Sequence, residues 1–183
     1  MIKIIKGLLM VAAKKDVRYY LNGIHITCVD SVVTLSASDG CIGMILDIKD
    51  DMFNVEDGTS VILCRESLTK VLKMYNAKSK PLFTISNDNV NIDGHNIDIV
   101  DGRFPDIHRA FNLGKGSAPD KIKGMDFNIL STLCKACSLV LHGNAVQGGC
   151  FEIRDARSPF HITQTFGENG VNSLRAVIMS MRL

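Results

Sequence analysis

The sequence predicts an α+β fold made of three similar units, each a helix backed by about three antiparallel strands. Apolar residues recur at helical spacing from near Ile2, Arg65 and Asn128, which are evenly spaced along the chain. Each of these stretches is followed by segments in which apolar and polar residues alternate. If such units pack side by side, their sheets form an outer wall and their helices line a concave surface.

Composition narrows the class of protein. With 183 residues, 46% of them hydrophobic and 22% charged, the chain can bury a core without disulfides or metals. Its apolar runs are far shorter than the roughly 20 residues of a membrane span, and no signal peptide or anchor is visible, so a cytoplasmic protein is expected. The six cysteines include one close pair, Cys134 and Cys137, and are expected to be reduced and mostly buried.

Lysines give the predicted helices a basic side. In the first helix, Ile5 and Leu8 lie on the apolar side, and in the second, Leu68 and Leu72 do. The third, about residues 128–139, is predicted to bury Leu130, Leu133, Cys134 and Cys137. The basic residues expected to face DNA are Lys3, Lys6, Lys14, Arg65, Lys70, Lys73, Lys121, Lys123 and Lys135.

A basic helical face has two interpretations. A single such face is usually a solvated surface. Its recurrence at one period favours a surface that follows the phosphates of a DNA duplex, because lysine supplies charge without base-specific geometry. The formal net charge of +2 is too small to decide between the two interpretations by itself.

The strands are predicted as hairpins with a final apolar strand. The hairpins pair residues 24–28 with 32–37, 82–86 with 90–92, and 151–154 with 160–165, and the last strand covers Leu174 to Met181. A stretch rich in Gly, Ser and Lys at 112–119 is the best linker candidate. The predicted organisation is a complete domain at 1–113, made of units 1–57 and 58–113, and a half domain at 114–183.

Four strings of the sequence are distinctive: DVRYYLNG at 16–23, SASDG at 36–40, VDGRFPD at 100–106 and MSMRL at 179–183. They resemble segments of the bacterial DNA polymerase III beta sliding clamp family. Their order and spacing extend the resemblance over nearly the whole chain. They match the middle domain and the carboxyl-terminal half of the last domain, and nothing resembles the first domain. The resemblance implies a DNA-clamp-like fold.

That resemblance implies a non-enzymatic platform that encircles double-stranded DNA without sequence preference. It also implies that the platform docks clamp-binding peptides of polymerases or repair proteins. The alternative is a non-encircling module that captures such peptides or caps a host clamp. Family rings contain twelve helix-plus-strands units, so chains of three units would close a ring as a homo-oligomer, a dihedral tetramer. Open sheet edges, including the strand from Leu174 to Met181, are expected to drive this assembly.

The resemblance also implies a peptide-binding pocket between the middle domain and the carboxyl-terminal tail. Its walls would be Arg18, Tyr20, Leu21, Ser38, Gly40, Cys41, Ile42, Gly43, Pro105, Arg109, Ala110, Val177, Ile178, Met179, Ser180, Met181, Arg182 and Leu183. Such a groove of apolar and Met side chains suits short linear peptides. The alternative interpretation is that Tyr20, Leu21, Val177 and Met179 are ordinary sheet core.

Two departures from the family pattern concern this pocket. After Asp39-Gly40 the family usually has His, Arg, Leu and Ala, where this chain has Cys41, Ile42, Gly43 and Met44, and Ser180 replaces a proline. Gly43 is expected to widen or flatten one subsite, and Ile42 to remove a charge from the rim. No cofactor, metal site or catalytic activity is predicted, because the five histidines lack paired ligand spacing and no catalytic motif is found.

Overall fold

The computed structural model describes residues 2–48, 53–76, 78–109, 126–141, 150–153, 160–165 and 171–179. The helices are α1 (Ile2–Val11), α2 (Arg65–Leu72) and α3 (Phe127–Val140), with a short 3-10 helix at Tyr19–Leu21. The strands are β1 (Gly23–Val29), β2 (Val32–Ser38), β3 (Ile42–Ile48), β4 (Phe53–Val55), β5 (Ser60–Cys64), β6 (Phe83–Ile85), β7 (Val90–Ile92), β8 (His95–Asn96), β9 (Cys150–Ile153), β10 (Phe160–Thr165) and β11 (Val171–Ile178). None of the helices in these ranges is long and apolar enough to cross a membrane.

The predicted fold class is confirmed. The helices begin within a residue of the predicted positions, and the predicted hairpins β1–β2, β6–β7 and β9–β10 all pair antiparallel. Asp30 and Ser31 form the first hairpin turn with positive φ, as a two-residue connection requires. The turn between β9 and β10 lies outside the described residues.

A seven-stranded sheet, in the order β5-β1-β2-β3-β11-β10-β9, combines β5 of the predicted second unit with strands of the predicted first and third units. All its pairs are antiparallel, and β11 pairs with β3 on one side and β10 on the other. The expectation that the last strand is an open edge is therefore wrong. Ala176, Val177 and Ile178 are all buried, because both faces of β11 are covered as well as both of its edges. The strand also ends at Ile178, before the predicted Met181.

A smaller sheet has the order β4-β6-β7-β8. Its β4–β6 pair is parallel, unlike the other strand pairs in the described residues. The rings of Phe53 and Phe83 stack across this pair with centroids 4.7 Å apart. This aromatic contact anchors β4 at the edge of the sheet.

The helices share one apolar core with alternate residues of the large sheet. Ile5, Leu68 and Leu133, one from each helix, belong to the same buried cluster as Leu35 and Met44. The cluster also includes Phe83 and Ile92 of the smaller sheet. The three helices therefore pack into one core with residues of both sheets.

Helices α1 and α3 cross at Gly7. A Cβ at Gly7 would lie 2.7 Å from Val140 Cγ2 and 2.9 Å from the carbonyl oxygen of Ala136, so only glycine permits this approach. The crossing buries Ala136 and Val140, and Cys134, which was predicted to be buried, is exposed. Cys134 follows Leu133 by one residue, about 100° around the helix, and so lies at the side of the contact.

Residue Arg65 connects the second helix to the first. Its guanidinium donates to the carbonyl oxygens of Leu9 and Ala12, the latter at 3.0 Å. Leu9 lies in the last turn of α1 and Ala12 directly follows the helix, where carbonyls lack amide partners within the helix and a cation is favourable to the helix dipole. Burial lowers the pKa of Arg65. The side chain predicted to face DNA is thus engaged in capping α1.

The imidazole of His25 makes stability depend on pH. It stacks on Phe104 with ring centroids 4.9 Å apart, and burial lowers its pKa from 6.5 to about 4.

Between about pH 6.5 and pH 4, His25 is protonated in the unfolded chain and neutral in the folded chain. The free energy of unfolding should therefore decrease as the pH is lowered from about 6.5 to about 4. The slope from this residue is at most about 1.4 kcal/mol per pH unit. Urea unfolding of wild type and His25→Phe between pH 7 and 4.5 should show a smaller slope in the variant, and equal slopes would contradict the assignment.

Candidate functional site

A pocket of about 240 Å³ opens where β3 meets β11. Gly43 of β3 lies opposite Val177 of β11. One residue beyond the end of β11, the backbone amide of Met179 donates to the carbonyl oxygen of Cys41 at 2.8 Å. The pocket therefore lies on the seam between the first and third units. Its lining residues are Arg18, Tyr20, Leu21, Ser38, Gly40, Cys41, Ile42, Gly43, Pro105, Asp106, Ile107, Val177 and Met179.

The turn between β2 and β3 is held by side-chain hydrogen bonds. Asp39 Oδ1 accepts from the amides of Cys41 and Ile42, both at 2.8 Å. Ser38 Oγ donates to the carbonyl of Ile42 at 2.7 Å and accepts from the amide of Gly40 at 3.0 Å. Gly40 has φ of +92°, which other residues rarely adopt. This turn presents Cys41 as an exposed thiol at the pocket.

An arginine and an aspartate fix the opposite wall. Arg18 Nε and Nη2 donate to the two carboxylate oxygens of Asp16 at 3.0 and 2.8 Å, a bidentate pair. These bonds lower the pKa of Asp16 to about 2. Arg18 Nη2 also reaches the carbonyl oxygen of Asp39 at 3.3 Å. The guanidinium thereby connects the 3-10 helix region to the β2–β3 turn.

The segment at residues 104–107 supplies the third wall. Phe104 is buried in a small cluster with Ala13, Leu21 and Ile62, and Ile107 packs against the same cluster. The pocket wall that follows Phe104 is therefore anchored from beneath by apolar contact. Asp106 pairs with Arg109 at 3.4 Å on the outside, where both side chains are exposed.

Most of the residues that the resemblance assigned to the pocket, so far as the structure describes them, line this one cavity. Two do not: Arg109 contacts Asp106 instead, and Ile178 belongs to the helix-side core because alternate residues of a strand point to opposite faces. Ile42 is among the lining residues, but its side chain is buried in that same core, so it does not form the rim of the pocket. Ala110, Ser180, Met181, Arg182 and Leu183 lie outside the described residues.

Sequence reasoning missed Asp106 and Ile107 as pocket residues. Asp106 is the last residue of the VDGRFPD string, and Ile107 is the first large apolar residue after it. Their position at the end of the string and directly after it was the feature of the sequence that could have predicted them as pocket residues. The buried anchor Phe104 places both on the pocket side.

The predicted DNA-facing lysines fall into three groups. Lys6, Lys70, Lys73 and Lys135 are exposed on or next to the helices. Lys3 is half-buried, and Lys14 is exposed but follows the end of α1 at Val11. Lys121 and Lys123 lie outside the described residues.

The described residues do not suggest metal or thiol chemistry. They contain no group of three or more His, Cys, Asp or Glu side chains that could hold a metal ion. Burial raises the pKa of Cys137 to about 12, so its thiol stays protonated and unreactive at neutral pH. The described cysteines Cys28, Cys41, Cys64, Cys134 and Cys137 are unbridged. Of these five only Cys28 is buried, so the expectation of mostly buried cysteines is wrong.

Comparison with known proteins connects the fold to one family. The chain is 30% identical over 122 residues to the beta sliding clamp of Proteus mirabilis. Its fold matches the DNA polymerase III subunit beta of Pseudomonas aeruginosa with a TM-score of 0.66 at 17% identity, covering 99% of this chain. It matches the Helicobacter pylori beta clamp, crystallised with carprofen, with a TM-score of 0.71 at 12% identity, covering all of this chain. No family model matches the sequence.

The chain spans only part of these proteins. The Proteus alignment covers 62% of this chain and 32% of the relative, and the two solved structures are covered over 64% of their length. The structural matches establish the fold, and the sequence match connects that fold to the same family. The resemblance to the bacterial DNA polymerase III beta sliding clamps is therefore confirmed in both sequence and fold.

Proposed function

We propose that this chain is a cytoplasmic, clamp-like platform that docks short peptides of replication or repair proteins while it encircles DNA. One observation carries the proposal: residues distant in sequence, from Arg18 to Met179, converge on one pocket at the seam of two units. The resemblance assigned a peptide-binding role to most of these residues. The platform itself needs no catalytic residues, because it acts by holding partners on DNA.

The pocket has the chemistry expected of a site for apolar peptide side chains. Leu21, Ile107 and Val177 supply aliphatic surface, and Met179, 43% exposed, supplies an adaptable edge. A volume of about 240 Å³ is below the roughly 300 Å³ of small drug-binding pockets. It suits one or two side chains of an extended peptide, with the rest of the peptide lying on the surface.

Replacing Met179 with alanine should weaken binding of a clamp-binding peptide by about tenfold, or about 1 to 2 kcal/mol. The side chain borders the pocket yet is partly exposed, so the fold should persist. Isothermal titration with a peptide from a bacterial replicative polymerase measures the change.

Met74→Ala is the matched control, because Met74 is 64% exposed and does not line the pocket. It should leave the affinity unchanged. Equal affinity of wild type and both variants would show that the peptide site is elsewhere.

The DNA-binding part of the proposal depends on the exposed lysines of the helices. Lys6, Lys70, Lys73 and Lys135 are exposed on or next to the helices. Positive charge without base-reading geometry suits phosphates and gives no sequence preference. A ring of twelve units would need four chains of three units each. Self-complementary interfaces would join these four chains into a dihedral tetramer.

The outer strand β9 offers a surface for one of these interfaces. In the described part of the chain β9 pairs only with β10, which leaves its other edge available for strand addition. Light scattering coupled to size exclusion should therefore report four times the mass of one chain. A stable monomer at micromolar concentration would exclude this assembly.

A second candidate function is a non-encircling module that captures clamp-binding peptides or caps a host clamp. The pocket supports it, because residues of one chain line the cavity without a second copy. This module would be favoured if the protein binds the peptide as a monomer and is not retained on circular DNA.

A further inference from the structure

We infer that Arg175 is a positioning residue of the peptide site, because its guanidinium joins two walls of the pocket across the β3–β11 seam. This inference rests on the proposed peptide-binding function and adds how the walls of that site are held in place. Arg175 lies on β11, two residues before the pocket residue Val177. Because alternate residues of a strand point to the same face, the two side chains share one face of the sheet.

One side of the guanidinium is held by a carboxylate of β3. Arg175 Nη2 donates to Asp47 Oδ2 at 3.4 Å. The same carboxylate accepts from the hydroxyl of Thr34 on β2 at 3.0 Å and from the hydroxyl of Ser173 on β11 at 2.5 Å. Asp47 and Arg175 are 24% and 32% exposed, so water screens this ion pair less than a fully exposed one. Asp47 is thus fixed by both neighbouring strands and in turn orients Arg175.

The other side of the guanidinium contacts the wall formed by residues 104–107. Arg175 Nη1 lies 3.4 Å from Nδ1 of His108, which directly follows the pocket residue Ile107. Arginine can only donate, so this hydrogen bond requires a His108 ring with no proton on Nδ1. Phe104 anchors the start of this wall by apolar contact, and Arg175 holds its other end.

This geometry makes the peptide site depend on pH. A protonated His108 cannot accept the bond, and it places a second positive charge beside Arg175. The described charged groups around the ring are Asp47 and Arg175 from the strands, and Asp106 and Arg109 from its own segment. Protonation of His108 should therefore release the wall from the seam, and peptide affinity should fall as the pH falls.

Fluorescence anisotropy with a histidine-free, clamp-binding peptide of a bacterial replicative polymerase tests this assignment. Between about pH 7.5 and about pH 5.5, wild type should lose affinity by about threefold or more. His108→Gln should match wild type at the higher pH and lose the pH dependence, because a neutral amide oxygen accepts the bond at either pH. His95 is exposed on β8 and does not line the pocket, so His95→Gln is the matched control and should keep the wild-type pH profile.

A double-mutant cycle distinguishes a positioning role from a general loss of stability. At the higher pH, Arg175→Met and His108→Ala should each weaken peptide binding by about three- to tenfold. The double variant should bind no more weakly than Arg175→Met alone, because both changes remove the same contact. His108 is exposed, so His108→Ala and the pH profiles decide the question if Arg175→Met does not fold.

Two results would overturn the role of Arg175 while leaving peptide binding intact. One is a pair of losses that add in the double variant, and the other is a His108→Gln variant with the pH profile of wild type. Failure of wild type to bind the peptide at either pH would overturn the proposed function as well.

Discussion

Replacing Gly7 with alanine should lower the free energy of unfolding by about 1 to 3 kcal/mol, and replacing it with valine by more. Alanine gains about 1 kcal/mol in helix propensity over glycine, so any net loss must come from the helix crossing. The new Cβ would lie 2.9 Å from the backbone oxygen of Ala136, which cannot move without shifting α3. Urea unfolding measures the loss.

Lys6→Ala, at the exposed neighbouring position of α1, is the control. It should change stability by less than about 0.5 kcal/mol. Should Gly7→Ala be as stable as wild type or more so, the close approach of α1 and α3 would be contradicted.

The helix crossing also matters for function. α1 belongs to the unit that carries β3, and α3 precedes β9 to β11 in the third unit. Their contact and the β3–β11 pairing join the same two units, and the pocket opens on that seam. A shift of α3 should therefore alter the pocket walls Val177 and Met179, so peptide affinity should fall along with stability.

Much of the architecture could be predicted from periodicity. Local patterns of apolar residues predict that helices begin at Ile2 and Arg65 and that the first hairpin follows α1. The structure has both helix starts and the hairpin. The resemblance to the sliding clamp family predicted that residues from both ends of the chain line one pocket. No local pattern could have done so, because Arg18 and Val177 meet only through the β3–β11 pairing.

The incorrect predictions have tertiary causes. The last strand was expected at an edge, since a sequence does not show which distant strand will pair with it. Cys134 was expected inside because it shares helical spacing with Leu130, whereas the contact at Gly7 sets the rotation of α3. Arg65 was assigned to DNA by its charge, and only the structure shows its bonds to carbonyls of α1.

DNA binding should fall steeply with salt and should depend on the helix lysines. Replacing Lys70 and Lys73 with alanine should reduce the slope of log affinity against log salt by about 2, since each phosphate contact contributes about 0.9. Lys78 and Lys80 are exposed beyond the end of α2 and serve as the matched pair for control. An equal change in both double variants would contradict a specific role for the helix face.

Retention on circular and linear duplex DNA tests the encircling mechanism most directly. A closed ring can leave a linear duplex by sliding off its ends, whereas a circle offers no end. The protein should therefore stay on a plasmid circle at a salt concentration that removes it from the same plasmid after linearisation. Equal retention on the two forms would contradict encirclement.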